Sequence, residues 1–396
     1  MLSLLSEGKR PCILAGSAII SSDVRALFRR FIAAVQIPVV GGAMLSDILP
    51  NGYERFYGLS GNIGPRCGNF ILQNADLILV LGSSLSFRQT GFNQDGFAPK
   101  ARIVMVDIDE YEPRKPGLRI FRFIHSSLDE FFMRAFEMNF AVKAQEDWIN
   151  YCESLYSYFD VYEGKEKEHP EGRVGQYNFW ESYDRLVSDD LITVLGNNTA
   201  ICAKLQTGVR TDAQRVVVNY TIGSMGYDLP AAIGAAVATK KAVICLTGDG
   251  SIMMNLQELQ TIRQYDLPIH VVVFSNDGYN AIKQTCKNFF NGTVIGCSAE
   301  TGVSFPDFQM VAHTFGFEYL VCEANSEIDE TLIKVINSPK RILLDVKERL
   351  DDPLVPKVMS KMTADGKMQS PALDDMYPFL PDSVVKRFTI ARDEQE

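Results

Sequence analysis

The chain has 396 residues, 46% of them hydrophobic and 22% charged, with a formal net charge of −10. That length points to two or three domains, and the apolar share supplies sizeable cores without disulfides or metal staples. The acidic balance argues against a nucleic-acid binder, which needs basic surface to displace counterions, and against adhesion to anionic membranes.

The N-terminus, MLSLLSEGKRPCILAG, places its charges after a very short apolar run and does not have the form of a signal peptide. No window approaches the run of about 18 apolar residues that a membrane span needs. Residues 11–16 (PCILAG) predict a buried strand, followed by a helix over 22–35. Further strands are expected at 37–40, 76–81 and 102–109, nearly continuous in apolar residues as parallel strands covered on both faces are. A helix near 127–138 closes this first unit. Composition then turns polar and charged over 161–172 (VYEGKEKEHPEG), ending in Pro and Gly. A linker is placed there, within 141–175; an exposed loop inside one domain is the alternative.

The second part repeats the theme. A helix over 176–188 leads to strands at 191–195 and 215–219, and a Gly-rich turn in TIGSMGYDLPAAIGAAVAT runs into a small-residue helix. Strand 242–250, helix 254–264, strand 269–276, helix 306–315, strand 317–322 and strand 341–346 follow. The expected fold class is α/β, with two open parallel sheets over 1–140 and 176–350, and a Pro-rich, polar C-terminal extension over 351–396 packed on the outside. Eight cysteines (12, 67, 152, 202, 245, 286, 297, 322) include no C-x-x-C pair and are expected to be buried free thiols in a reducing cytoplasm. The histidines (125, 169, 270, 313) show no ligand spacing, and His313 is expected to be a satisfied structural histidine. Trp148 and Trp180 flank the linker and are expected to pack helices.

In open α/β sheets ligands bind beyond the carboxyl ends of the strands. Gly248-Asp249-Gly250-Ser251 ends one strand and opens a helix, and Asn276-Asp277-Gly278 ends the next, with Asp249 and Asn276 27 positions apart. The turn Ile222-Gly223-Ser224-Met225-Gly226 opens another helix. Asp249 and Asn276 thus offer hard oxygen ligands from successive strand ends, with a backbone carbonyl near Gly278 as a third. That set suits Mg²⁺, which takes its remaining ligands from water and substrate phosphates. The Gly-rich turn offers backbone N–H groups to an anionic diphosphate. Each element alone is ordinary turn chemistry; the conjunction is what is specific.

GDGSIMMNLQELQTI followed by LPIHVVVFSNDGYNAI resembles the thiamine-diphosphate motif, which starts with G-D-G and ends with Asn. GSMGYDLPAAIGAA and SFPDFQMVAHTFGFEY are similar to segments of acetolactate-synthase-type enzymes. GKRPCILAGSAI, NADLILVLGSSLSFRQTG and VMVDIDEYEPRKPG resemble the middle domain of the same family, so the resemblance covers about residues 1–350. It implies that Asp249, Asn276 and the carbonyl of Gly278 hold Mg²⁺. It also implies that Gly223, Ser224, Met225, Gly250, Ser251 and Tyr279 line thiamine diphosphate, with Gly250 and Ser251 against its diphosphate. Met225 takes the place of the apolar wedge that bends the cofactor; simple core filling is the alternative.

Family members run in the order pyrimidine-binding, middle and diphosphate-binding domain, and only the last two are expected here. The first carries the glutamate that activates the aminopyrimidine ring, and neither Glu258 nor Glu300 is a convincing replacement. The resemblance therefore implies part of a carboligase or decarboxylase acting on a 2-keto acid. A pyrimidine-binding domain would come from a missing segment or a partner subunit, in a homo-dimer or tetramer with an exposed apolar face around Met225 and Tyr279. A catalytically inactive nucleotide- or cofactor-binding interaction module is the alternative. A nicotinamide dehydrogenase is disfavoured, since no strand–G-x-G-x-x-G–helix unit appears.

Two departures bear on substrate: the family's pocket-shaping Trp falls near Thr285, and a nearby Gly is Asn280. They put acetolactate formation in doubt and imply a larger or more polar acceptor. FAD, which some relatives hold in the middle domain, would lie near Arg88, but the acidic pair beside that Arg is replaced by Ser86 and Phe87. Asp107 and Asp109 are either ribose-binding acids or solvated turn carboxylates.

Overall fold

The near-continuous apolar runs fold as parallel strands in both halves of the chain. In the computed structural model, which describes residues 2–42, 45–159, 171–362 and 367–390, they form two six-stranded sheets in two separate units. One unit comprises Met1–Glu163 and Val355–Glu396, the other Gly164–Leu354.

The first unit contains β1 (Pro11–Ala15), β2 (Val39–Gly41), β3 (Phe56–Leu59), β4 (Leu77–Leu81), β5 (Arg102–Asp107) and β6 (Ile120–His125), in the order β3-β2-β1-β4-β5-β6. Every residue of β1 and β4 is buried, as central strands covered on both faces must be. Both edge strands escape the sequence pattern. β3 is four residues long and carries Gly58 at φ +81°, whereas β6 mixes half-buried and exposed residues along its length. Helices Arg25–Val35 and Leu128–Glu137 cover one face, where Phe31 and Phe132 pack with ring centroids 5.3 Å apart.

The segment 141–175, expected as a linker, contains a 13-residue helix, Glu146–Tyr158, that belongs to the first unit. Trp148 and Cys152 on this helix are buried, and the Trp148 indole N–H donates to the Pro11 carbonyl at 2.9 Å. An aromatic with its N–H satisfied in a core anchors a helix that charge patterning alone reads as solvated. Residues 161–170, the polar part of that expected linker, lie outside the described residues, as does His169. The expected extension also folds back on the first unit from Val355 onward. Leu373, Met376 and Phe388 enter its core, and the Tyr151 hydroxyl donates to the Phe388 carbonyl at 2.6 Å. Apolar residues so sparsely spaced show no period from which a sequence reading could place them.

The second unit contains β7 (Ile192–Leu195), β8 (Arg215–Val218), β9 (Val243–Gly248), β10 (Ile269–Ser275), β11 (Glu318–Cys322) and β12 (Ile342–Lys347), in the order β11-β12-β10-β9-β7-β8. The direction of winding reverses between β7 and β9, and at such a switch point the connecting loops diverge and leave a crevice at the carboxyl edge. Register brings the strand ends level there: Phe274 pairs with Gly248, and Ser275 with Lys347. Behind the sheet, helix Gln176–Leu186 buries Trp180 and Tyr183, and Phe179 meets Phe274 edge to face with centroids 4.8 Å apart. The Trp180 indole donates to the Ala200 carbonyl at 2.6 Å.

All eight cysteines are free, six of them buried and Cys202 and Cys286 half-buried. Among the described residues no helix is long and apolar enough to cross a membrane. His313 corrects its expectation: it is exposed on helix Phe308–Phe315, whose buried face is Phe308, Val311 and Ala312. Among the described histidines, His270, in β10, is the buried one; its Nδ1 has no hydrogen-bond partner, and burial holds the imidazole below its ordinary value. A base whose pKa is depressed by folding contributes stability above its unfolded value, lost as pH falls through the folded one. Protonation of His270 therefore lowers stability as pH falls from about 7.5 to about 5.5, and thermal melts should show the wild-type melting temperature falling relative to that of His270→Phe over that range. A difference between the two that does not change with pH would refute the assignment.

Candidate functional site

Four strand ends meet at the carboxyl edge of the second sheet. β7 leads into Gly196-Asn197-Asn198, β9 into Asp249, β10 into Asn276-Asp277-Gly278-Tyr279, and β12 into Glu348.

Asp249 opens the short helix Asp249–Ile252 and is 3% exposed. Its Oδ1 accepts the Gly250 N–H at 2.8 Å, and Oδ2 accepts those of Asn276 at 3.0 Å and Gly278 at 3.4 Å. One carboxylate thus ties two strand ends together. Burial still pushes its carboxyl up to about 6, because those N–H dipoles offset only part of the desolvation.

Asn276 is 1% exposed, and its Nδ2 donates to Glu348 Oε2 at 2.9 Å. Its Oδ1 has no partner. A buried amide oxygen left without a donor costs about 1–3 kcal/mol, so such a group calls for a ligand. Beside a buried carboxylate, an amide oxygen of this kind has the chemistry of a hard-cation ligand. Among the described residues no group of three or more His, Cys, Asp and Glu side chains is placed to hold a metal. One carboxylate and one amide oxygen therefore fit a hard ion that completes its shell with water and phosphate, as Mg²⁺ does.

Two glycines shape the cradle. Gly278 sits at φ +153°, and a Cβ there would overlap the Cys297 carbonyl oxygen, which accepts the Tyr279 N–H at 3.0 Å. A Cβ on Gly250 would overlap the Tyr279 ring, itself edge to face with Phe305 at 5.9 Å.

The Gly-rich turn is clamped from both sides. The Gly223 carbonyl accepts from Asn197 Nδ2 at 2.5 Å, and the Gly226 carbonyl from Asn255 Nδ2 at 2.6 Å. The Gly226 N–H donates to Ser251 Oγ at 3.0 Å. Between these fixed points Ser224 is exposed and Met225 half-buried. The Ser251 hydroxyl in turn donates to Asp228 Oδ2 at 2.7 Å, so its side chain is committed to holding the turn. Exposed apolar side chains surround the loops: Ile222 (73%), Met253, Met254 and Ile282.

The structure thus brings Asp249, Asn276, Gly278, Gly250 and Tyr279 together, links Gly226 to them through Ser251, and ties Gly223 to the end of β7 through Asn197. Four residues of this edge were not singled out from sequence. Asn197 and Asn198 follow β7, where Asn198 caps helix Thr199–Thr207 by accepting the Ala200 N–H at 2.7 Å. Asp228 is fully buried and receives Thr247 Oγ1 at 2.8 Å as well as Ser251. Its signal was available, as the only charged residue of the helix DLPAAIGAAVAT. Glu348 is fully buried, and desolvation pushes its carboxyl up to about 8 against the hydrogen bond from Asn276. Lying in KERLDD, it carries no such signal. Glu258 is half-buried and Glu300 exposed.

In the first unit, Asp107 Oδ1 accepts the Asp109 N–H at 3.0 Å and Asp109 Oδ1 the Tyr111 N–H at 2.9 Å, the local bonding of turn carboxylates. Arg88 lies half-buried with its guanidinium 5.2 Å from the Phe87 ring centroid.

Comparison with known proteins agrees with this geometry. Residues 195–346 match the family described as thiamine pyrophosphate enzyme, C-terminal TPP binding domain, and residues 1–130 match its central domain. Among curated relatives, acetolactate synthase isozyme 2 large subunit of Escherichia coli is 28% identical over 89% of this chain and 63% of its own length. The isozyme 1 large subunit of the same organism is 28% identical over 90% of this chain and 61% of its own length. A probable acetolactate synthase large subunit of Methanocaldococcus jannaschii is 28% identical over 97% of this chain and 66% of its own. The chain therefore spans about three-fifths of the length of the Escherichia coli relatives.

Proposed function

The chain belongs to the thiamine pyrophosphate enzyme family, and on that premise we propose that it is the Mg²⁺- and thiamine-diphosphate-binding part of a carboligase or decarboxylase acting on a 2-keto acid. The observation that carries this reading is the partnerless Asn276 Oδ1 beside the buried Asp249 carboxylate at the end of a parallel sheet.

Asp249 would supply the negative charge for the metal, and Asn276 Oδ1 and the Gly278 carbonyl its neutral oxygens. Gly250 and Ser251 would lie against the diphosphate, and Gly223, Ser224 and Tyr279 along the cofactor. Met225, held between two pinned glycines, would prop the cofactor in its bent shape. When bound, thiamine diphosphate supplies the nucleophilic carbon and electron sink needed to cleave a bond next to a 2-keto group. The activating glutamate would come from a pyrimidine-binding domain outside these 396 residues, on the same chain or a partner, in a dimer or tetramer. The exposed side chains of Ile222, Met253 and Met254 support such a covered face. Asn280, buried with both amide atoms unpartnered, and Thr285, exposed on helix Asn280–Phe289, support an acceptor more polar than that of acetolactate formation. The free cysteines support a cytoplasmic setting.

Calorimetric titration with thiamine diphosphate is expected to give binding with Mg²⁺ present and none with chelator. Consumption of a 2-keto acid is expected once a pyrimidine-binding domain is supplied. Absence of Mg²⁺-dependent binding would refute the reading and favour an inactive module.

A further inference from the structure

Glu348 follows β12 at the carboxyl edge and is 0% exposed. Its Oε2 accepts Asn276 Nδ2 at 2.9 Å, its Oε1 has no hydrogen-bond partner, and among the described residues no basic side chain pairs with it. For folding alone this is a poor choice of residue. A carboxyl taken out of water with only the neutral amides of Asn276 and Asn198 against it and no ion pair costs more than a packed leucine or methionine of similar volume.

What the carboxyl does accomplish is visible at the other end of its hydrogen bond. An asparagine amide has two orientations, exchanging a donor for an acceptor. The backbone N–H of Asn276 is held by Asp249 Oδ2, which fixes the base of the side chain, but not which way its amide turns. In the structure Nδ2 is toward Glu348 Oε2 and Oδ1 away from it, and a Glu348 oxygen that accepts this bond holds the amide in that one orientation.

We propose that Glu348 is a positioning residue that, by accepting from Asn276 Nδ2, presents Asn276 Oδ1 to the divalent cation beside Asp249. The inference rests on the reading of Asp249, Asn276 and Gly278 as metal ligands and names what orients one of them. It is the amide counterpart of the carboxylates that orient metal-bound histidines, whose loss typically costs roughly 10- to 100-fold in metal affinity.

The test is Mg²⁺ titration by calorimetry at a fixed concentration of thiamine diphosphate, with melting curves recorded without Mg²⁺. Glu348→Leu is expected to weaken Mg²⁺ binding by roughly 10- to 100-fold while the Mg²⁺-free melting temperature stays level or rises. Glu348→Gln, whose amide oxygen can accept the same hydrogen bond, should bind Mg²⁺ closer to wild type than the leucine variant does. In an Asn276→Ala background, Glu348→Leu should have no further effect, since there is no amide left to orient. Should leucine not fit the site, Glu348→Ala carries the same expectation for Mg²⁺ binding, with a lower melting temperature from the cavity it leaves.

A leucine variant that binds Mg²⁺ as tightly as wild type overturns the proposal. So does a glutamine variant as weak as leucine, or an equal loss in the Asn276→Ala background. A wild-type chain that binds no Mg²⁺ overturns the ligand assignment and this inference with it. That outcome is distinguishable from a wild type that binds and a leucine variant that does so undiminished.

Discussion

Asp249→Asn is expected to weaken Mg²⁺ binding by at least about 100-fold while leaving the second unit folded. Asp249 is the only carboxylate of the proposed ligand set, and a divalent ion in a buried site depends on opposing charge far more than an exposed one does. Leaving a buried charge without its partner costs about 3–5 kcal/mol, and the lower end of that range is already more than 100-fold. Asparagine keeps the shape and an oxygen for the Asn276 and Gly278 N–H groups that Asp249 Oδ2 now receives. Alanine would leave these two and the Gly250 N–H without an acceptor and confound binding with folding. Calorimetry with Mg²⁺ and thiamine diphosphate, beside a circular-dichroism melt, separates the two effects. An Asp249→Asn variant with wild-type Mg²⁺ affinity would refute the metal assignment.

Asp228→Ala is expected to have the largest effect on stability, about 4 kcal/mol, or roughly 10 °C in the melting temperature of a unit this size. The Asp228 carboxylate is fully buried and accepts the Thr247 hydroxyl at 2.8 Å, the Ser251 hydroxyl at 2.7 Å and the Leu229 N–H at 2.9 Å. It also fills the space beside Gly196, where any Cβ would overlap its Oδ2. Removing it leaves those buried donors unsatisfied and opens a void at the β7/β9 switch point. Because Ser251 also holds the Gly226 N–H, the Gly-rich turn should loosen, and thiamine diphosphate affinity should fall along with stability. Asp228→Asn, which retains an acceptor, should lose less. Chemical denaturation with a loss under about 1 kcal/mol for Asp228→Ala would show that the carboxylate is not the staple its hydrogen bonds describe.

The parts of this protein legible from sequence are those in which a local pattern carries the physics. Buried parallel strands such as β4 and β10 announce themselves as unbroken apolar runs, since both faces are covered. The Gly-Asp-Gly turn and Asn276 stand out because each ends such a run. β3, β6 and the Glu146–Tyr158 helix did not stand out, because edge strands and an aromatic-anchored helix bury too little in any regular period. His313 was misjudged for the converse reason: apolar neighbours in sequence lie on the opposite face of its helix.

By itself, then, the sequence determined the α/β class, the family resemblance and the strand ends of the candidate site, because strand burial and turn chemistry are local properties. The tertiary structure alone decided which groups stand beside those ends. Asp228 lies 21 positions before Asp249, and Glu348 72 positions after Asn276, yet each hydrogen-bonds the site. Their burial and partners follow from strand order and register, which place β12 beside β10 and β7 beside β9. Likewise, only packing shows that the last residues, Val355 onward, complete the first unit rather than extend the second. A charged residue in a polar stretch is solvated by default, and only a neighbouring strand can take the water away.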